Sequence, residues 1–134
     1  MNYLAILVAS IASIILGSIW YSPSVFGNIW MKLSGITSKQ LSEAKKKSMA
    51  GTYLMAIIGS LVMAYVLARL AGLLKTSTLG GAVELAFWAW LGFIATTTLS
   101  SVLWEGKPAK LWWLHNAYNL LNMIIMSTIV VLWV

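Results

Sequence analysis

Residues 50–74 read AGTYLMAIIGSLVMAYVLARLAGLL, and Arg69 is the only charged residue in this stretch. A helix needs about 20 mostly apolar residues to cross the hydrocarbon core of a bilayer. The stretch is therefore long enough and apolar enough to form a membrane-spanning helix. Three further stretches, residues 3–20, 79–103 and 111–134, have the same character.

The composition points to the same class of protein. Hydrophobic residues make up 60% of the 134-residue chain, and charged residues make up only 9%. A soluble domain carries about 25% charged residues, so this chain lacks the surface of a soluble protein. We predict an all-α fold in which residues 1–134 form a single integral membrane domain, a bundle of four transmembrane helices. The absence of cysteine excludes disulfides, thiolate catalysis and cysteine-ligated metal sites.

The connector between the first and second spans is not all loop. Ser22 and Pro23 favour a helix start, since Ser is a good capping residue and Pro is tolerated in the first turn. Apolar residues then recur at helical spacing, with polar residues on the opposite face. This pattern predicts an amphipathic helix over about 23–34 that lies in the headgroup plane. The apolar face comprises Phe26, Ile29, Trp30 and Leu33.

The basic residues are concentrated in two of the three connectors. An excess of Lys and Arg is typical of cytoplasmic loops. We therefore predict a multi-pass protein of the inner (plasma) membrane, with residues 21–49 and 104–110 in the cytoplasm and both termini outside. The expected cytoplasmic residues are Lys32, Lys39, Lys45, Lys46, Lys47, Lys107 and Lys110, and only Arg69 and Lys75 lie at the other side.

The net charge of +6 also raises the question of partners. Because the charges follow the connectors, their first role is to set topology. We expect the cluster Lys45, Lys46 and Lys47 to attract anionic lipid headgroups of the bilayer, and we expect no binding to nucleic acid.

Small residues recur every four positions along the second span, and the third span has a looser series. Such faces let helices pack closely in lipid, where no hydrophobic force drives association. We expect the two faces to meet, or one of them to form a subunit contact. A homo-oligomer is therefore predicted, with a dimer as the expected state. The first series comprises Ala56, Ser60, Ala64, Ala68 and Gly72, and the second comprises Ala82, Ala86, Ala89 and Gly92.

The fourth span carries polar side chains along one face. An unpartnered amide in hydrocarbon costs several kcal/mol, so this face must meet other helices or water. One hypothesis is a polar pocket open to the cytoplasm, completed by threonines of the third span. The alternative is hydrogen bonding between helices with no ligand. The face comprises His115, Tyr118, Asn119 and Asn122, at i, i+3, i+4 and i+7, and the threonines are Thr96 and Thr97.

Two charged residues lie inside the predicted spans. Arg69 lies about one turn from the outer end of the second span, and Glu84 lies at a similar depth in the third. A charge within a membrane needs a partner, so we expect an ion pair. The alternative is that Glu84 couples transport to protons or cations, as carboxylates do in small transporters.

No catalytic motif is present, so we expect no enzymatic activity. His115 is the only histidine, and we expect neither a metal site nor a cofactor. The first functional hypothesis is a small membrane binding or transport protein that uses the polar pocket. The second is a structural or regulatory protein that acts through contacts with partner helices.

Several motifs resemble one known family. They include the segments 17–23, 26–27, 96–99 and 103–108, which read GSIWYSP, FG, TTTL and LWEGKP. On these the chain resembles domain-of-unknown-function family 1761, a family of small prokaryotic membrane proteins. The resemblance implies a four-helix integral membrane protein and implies no activity.

Overall fold

A computed structural model describes residues 2–37, 39–40, 42–43 and 50–133. Within these ranges the fold is all-helical, which confirms the predicted class. Four helices are long and apolar enough to cross a membrane. These four helices identify a membrane protein. The kind of membrane, and the side of it on which the termini lie, stay predictions. The helices with described bounds are α1 (Tyr3–Trp20), α2 (Gly27–Ser34), α3 (Ala50–Leu73), α4 (Leu79–Leu103) and α5 (Ala109–Leu132).

The starts of the helices follow from local chemistry. The side chain of Asn2 accepts hydrogen bonds from the backbone of Leu4 and Ala5 and so caps α1. Thr78 caps α4 through the N–H of Gly81. Pro108 lies in extended conformation immediately before α5. The caps at Asn2 and Thr78 thus fix the starts of the first and third spans.

The amphipathic helix α2 begins later than Pro23 suggested. Residues 21–26 form a tight turn instead, closed by a 2.8 Å hydrogen bond from the N–H of Gly27 to the carbonyl of Ser22. A Cβ at Gly27 would lie 2.5 Å from the carbonyl oxygen of Tyr21, so only glycine fits there. The turn brings α2 back against α5 and holds Tyr21 beside it.

Helix α5 is the centre of the bundle. It packs against α1, α3 and α4, and the only other major contact between spans joins α1 to α3. The main core cluster combines four alanines with Ile6, Leu67 and two methionines, whose flexible side chains fill irregular space. Its members are Ile6, Ala9, Ala64, Leu67, Ala86, Ala89, Met123 and Met126.

The two small-residue faces therefore do not pack on each other, which was the first of the two predicted arrangements, and a subunit contact through one of them stays a prediction. Ala64 and Ala86 are both fully buried, in one core cluster with Met123 and Met126 of α5, and both α3 and α4 pack on α5 rather than on each other. In the small-residue series of α3, Ser60 and Ala68 are half-buried, whereas the first and last members, Ala56 and Gly72, are exposed. In the second series Ala82 and Ala89 are buried and Gly92 is exposed.

The bundle has two distinct ends. We call the end that holds Asn2, Lys75 and Trp133 the terminal end; there the Asn2 side chain donates to the Trp133 carbonyl at 3.2 Å. We call the end that holds α2 and residues 104–108 the connector end.

Candidate functional site

A cavity of about 470 Å³ lies at the connector end, between the end of α1, the last turns of α4 and the first turns of α5. Its polar groups are hydroxyls, amides, an imidazole and an indole, set among the apolar surfaces of the same side chains, and no Lys, Arg, Asp or Glu of the described residues takes part. The lining residues are Tyr21, Thr97, Thr98, Ser100, Ser101, Trp112, His115, Asn116, Tyr118 and Asn119. The structure thus brings four predicted pocket residues together, Thr97, His115, Tyr118 and Asn119. Thr96 and Asn122 do not line the cavity.

The shortest hydrogen bond among the cavity residues joins Tyr21 and His115. The phenol oxygen of Tyr21 lies 2.5 Å from Nδ1 of His115, and the Tyr21 ring also packs against Trp30 and Tyr118. Burial, with a smaller contribution from Tyr118, raises the pKa of Tyr21 to about 12. The phenol is therefore neutral at physiological pH and can donate to Nδ1, which leaves the ring proton of His115 on Nε2.

The third span changes its winding where it reaches the cavity. Residues Trp90–Ala95 form a π-helical segment, and such segments are frequent at functional sites. The three threonines that follow donate back to carbonyls of this segment, at 2.7 Å for Thr96, 2.6 Å for Thr97 and 2.7 Å for Thr98. Their hydroxyl protons are thus used within α4. Of the two that line the cavity, Thr97 keeps its acceptor capacity for a ligand, whereas Thr98 already accepts from Asn116.

Asn116 is the buried amide that ties α4 to α5. It is 1% exposed, and its Nδ2 donates to Thr98 Oγ1 at 3.1 Å and to the Trp112 carbonyl at 3.0 Å. The Trp112 indole in turn donates to the carbonyl of Ala95 at 3.3 Å, inside the π-helical segment. Sequence reasoning missed Asn116, because it lies one position away from His115 and so off the predicted face. Its presence inside a span was the available signal.

Asn119 and Asn122 lie in different environments. Asn119 is half-buried in the cavity wall, and the hydrogen bonds among the described residues do not include its amide. Asn122 is 5% exposed, lies deeper along α5 and makes only a 3.9 Å contact from Nδ2 to the sulfur of Met63. Its Oδ1 is buried without a partner in the described chain. The cavity therefore ends between these two asparagines.

A family model with the description "Protein of unknown function (DUF1761)" matches residues 4–131. The chain belongs to this family. The match confirms the resemblance drawn from the motifs, and it assigns no activity. Comparisons with curated proteins and with solved structures gave no match.

Other predicted features of this DUF1761 chain lie away from the cavity. Arg69 and Glu84 are both exposed, and the predicted ion pair is not among the contacts of the described residues, because α5 packs between their two helices. The cluster Lys45, Lys46 and Lys47 lies outside the described residues. Within the ranges described, no group of three or more His, Asp or Glu residues could hold a metal ion.

Proposed function

We propose that this membrane protein binds a small, uncharged, hydrogen-bonding solute in the connector-end cavity, as a small membrane binding or transport protein. The observation that carries the proposal is a cavity of about 470 Å³ lined by hydroxyl, amide and imidazole groups without a formal charge. This volume falls within the range of about 300–1,000 Å³ that is common for small-molecule sites. An ionic solute would meet no opposite charge in this lining, so a neutral one fits better.

The polar groups of the cavity differ in how far the protein itself satisfies them. Both N–H groups of the Asn116 amide are engaged, by Thr98 and Trp112, as expected of a packing residue. Asn119 and the Nε2 side of His115 are not engaged in this way. Polar groups without a protein partner are available for a ligand, whereas a water-free interface between helices would pair them with one another.

Transport would require a second conformation. In this structure the cavity ends at Asn119, and Asn122 is closed off against Met63. A solute could leave towards the terminal end only if this contact opened. The proposed binding site is thus reached from the connector end, and transport is the further step of the same proposal.

Labelling of single cysteines tests the proposal, because the native chain has no cysteine. We expect Asn119→Cys to react with a charged, membrane-impermeant methanethiosulfonate reagent from the connector side of oriented vesicles. Asn122→Cys should be protected. Leu121→Cys is the matched control, since Leu121 is exposed on the same helix but faces the surrounding lipid. Lys107→Cys marks full accessibility at that side.

Equal protection of positions 119 and 121 in folded protein would contradict the proposal. It would favour the second candidate, a structural or regulatory protein that acts through helix contacts. One observation favours that candidate: residues 50–59 of α3 are exposed on every face, including Ala56 of the small-residue stripe. A partner helix, in a second copy of this chain, would cover them.

A further inference from the structure

A second cavity, of about 540 Å³, lies at the terminal end of the bundle. It is far from the site proposed above, since it is formed by the last turns of α3 and α5 and by the start of α1. Three polar side chains mark its mouth, Asn2, Arg69 and Lys75. Thr76 and Ser77 of the connector that follows α3 complete the polar part of the lining.

The polar part of this cavity has the composition of an anion site. Arg69 offers a planar guanidinium that can bind two oxygens of a phosphate, and Lys75 adds a mobile point charge. The hydroxyls of Thr76 and Ser77 can donate to the same group. The lining contains no Asp or Glu, so no carboxylate of the described residues opposes an anion there.

Lys75 stands at the cavity in an unusual backbone conformation. Its φ is 54°, in the left-handed region that glycine adopts more readily. The helix end is closed by a 2.9 Å hydrogen bond from the N–H of Thr76 to the carbonyl of Ala71. The chain therefore places a lysine where a glycine would fit more easily, and the side chain of this lysine lines the cavity.

The rest of the wall is apolar. Ala71 is 5% exposed and Val131 is 2% exposed, and both lie behind the charged mouth. A Cβ built at Gly72 would meet nothing within 4 Å, so Gly72 leaves open space in this wall. A free inorganic anion would make no use of such a wall, whereas the acyl chain of an amphiphile would pack against it through van der Waals contacts.

We propose that the terminal-end cavity binds an anionic amphiphile, with its phosphate on Arg69 and Lys75 and its apolar part along Gly72 and Val131. The ligand class is thus a membrane lipid whose phosphate gives it a net negative charge, rather than a soluble phosphate. The site is independent of the connector-end cavity and of the solute proposed there.

Native mass spectrometry of the detergent-purified protein tests the charge requirement. We expect wild-type protein to retain phosphatidylglycerol in preference to phosphatidylcholine. The double variant Arg69→Gln/Lys75→Gln should bind phosphatidylglycerol about tenfold or more weakly, since each basic residue near a headgroup contributes to binding. The matched control Lys107→Gln/Lys110→Gln removes the same charge from the connector end and should bind as wild type does. Equal losses in both pairs would overturn the site and indicate general charge attraction.

A steric variant tests the cavity itself while both charges are kept. Gly72→Phe places a ring in the open space of the wall and should also weaken phosphatidylglycerol binding at an unchanged unfolding temperature. Competition with inorganic phosphate distinguishes the two possible ligands, a lipid headgroup and free phosphate. Displacement of the lipid by inorganic phosphate at equal concentration, or binding unaffected by Gly72→Phe, would overturn the assignment to an amphiphile.

Discussion

At the residue scale, the contact between Tyr21 and His115 holds the connector end together. Tyr21→Phe removes the hydroxyl that lies 2.5 Å from Nδ1 but keeps the ring against Trp30 and Tyr118. We expect a loss of about 0.5–1.5 kcal/mol in the free energy of unfolding, the usual net value of one hydrogen bond. Thermal unfolding in detergent measures this loss. The control is Tyr3→Phe, because Tyr3 is 73% exposed and should change little.

The same contact has a predictable dependence on pH. The pKa of Tyr21 is about 12 in the folded protein and about 10 in an unfolded chain. Because the folded-state pKa is raised, the stabilisation is fully present below pH 10 and is lost as the pH rises towards 12. The difference in stability between wild type and Tyr21→Phe should therefore be constant from pH 7 to 9 and should shrink above pH 10. If the stability difference between the two proteins already shrank near neutral pH, ionisation of Tyr21 would not be its cause.

At the scale of elements, the turn before α2 decides whether Tyr21 reaches α5. A Cβ at Gly27 would lie 2.5 Å from the Tyr21 carbonyl oxygen and 2.7 Å from backbone atoms of Ser22, so Gly27→Ala must move the turn. We expect a loss of about 1–3 kcal/mol, typical of overpacking against atoms that cannot yield. Gly51→Ala is the control, since a Cβ there meets nothing within 4 Å and alanine favours a helix. Thermal unfolding of both variants is the measurement, and equal stability of the two would contradict the role of the turn.

At the scale of the whole molecule, hydropathy was enough to predict the four spans, because each is a long apolar run that needs no knowledge of its neighbours. Helical spacing likewise predicted that His115, Tyr118 and Asn119 share a cavity wall. The position of α5 between α3 and α4 could not be predicted. In the sequence, two small-residue faces look able to pack on each other whether or not another helix lies between them. Tyr21 and Asn116 were missed for a related reason. Packing decides where the turn after α1 places Tyr21, and it decides how α5 is rotated about its axis and so where Asn116 points.

Whether the middle of the bundle is dry can be tested with two buried asparagines of α5. Asn116 has its amide donors satisfied, whereas the Oδ1 of Asn122 has no partner in the described chain. Removing one partner of a buried hydrogen bond costs about 1–3 kcal/mol, because the other partner loses its bond. A buried group without a partner already carries such a cost, so its replacement by an apolar side chain of similar shape is neutral or stabilising. We expect Asn116→Leu to lower the unfolding temperature and Asn122→Leu to leave it unchanged or raise it. A similar loss in both variants would mean that Asn122 has a partner, water or solute, beyond the end of the cavity. In that case a polar route would continue past Met63 towards the terminal end, as transport requires.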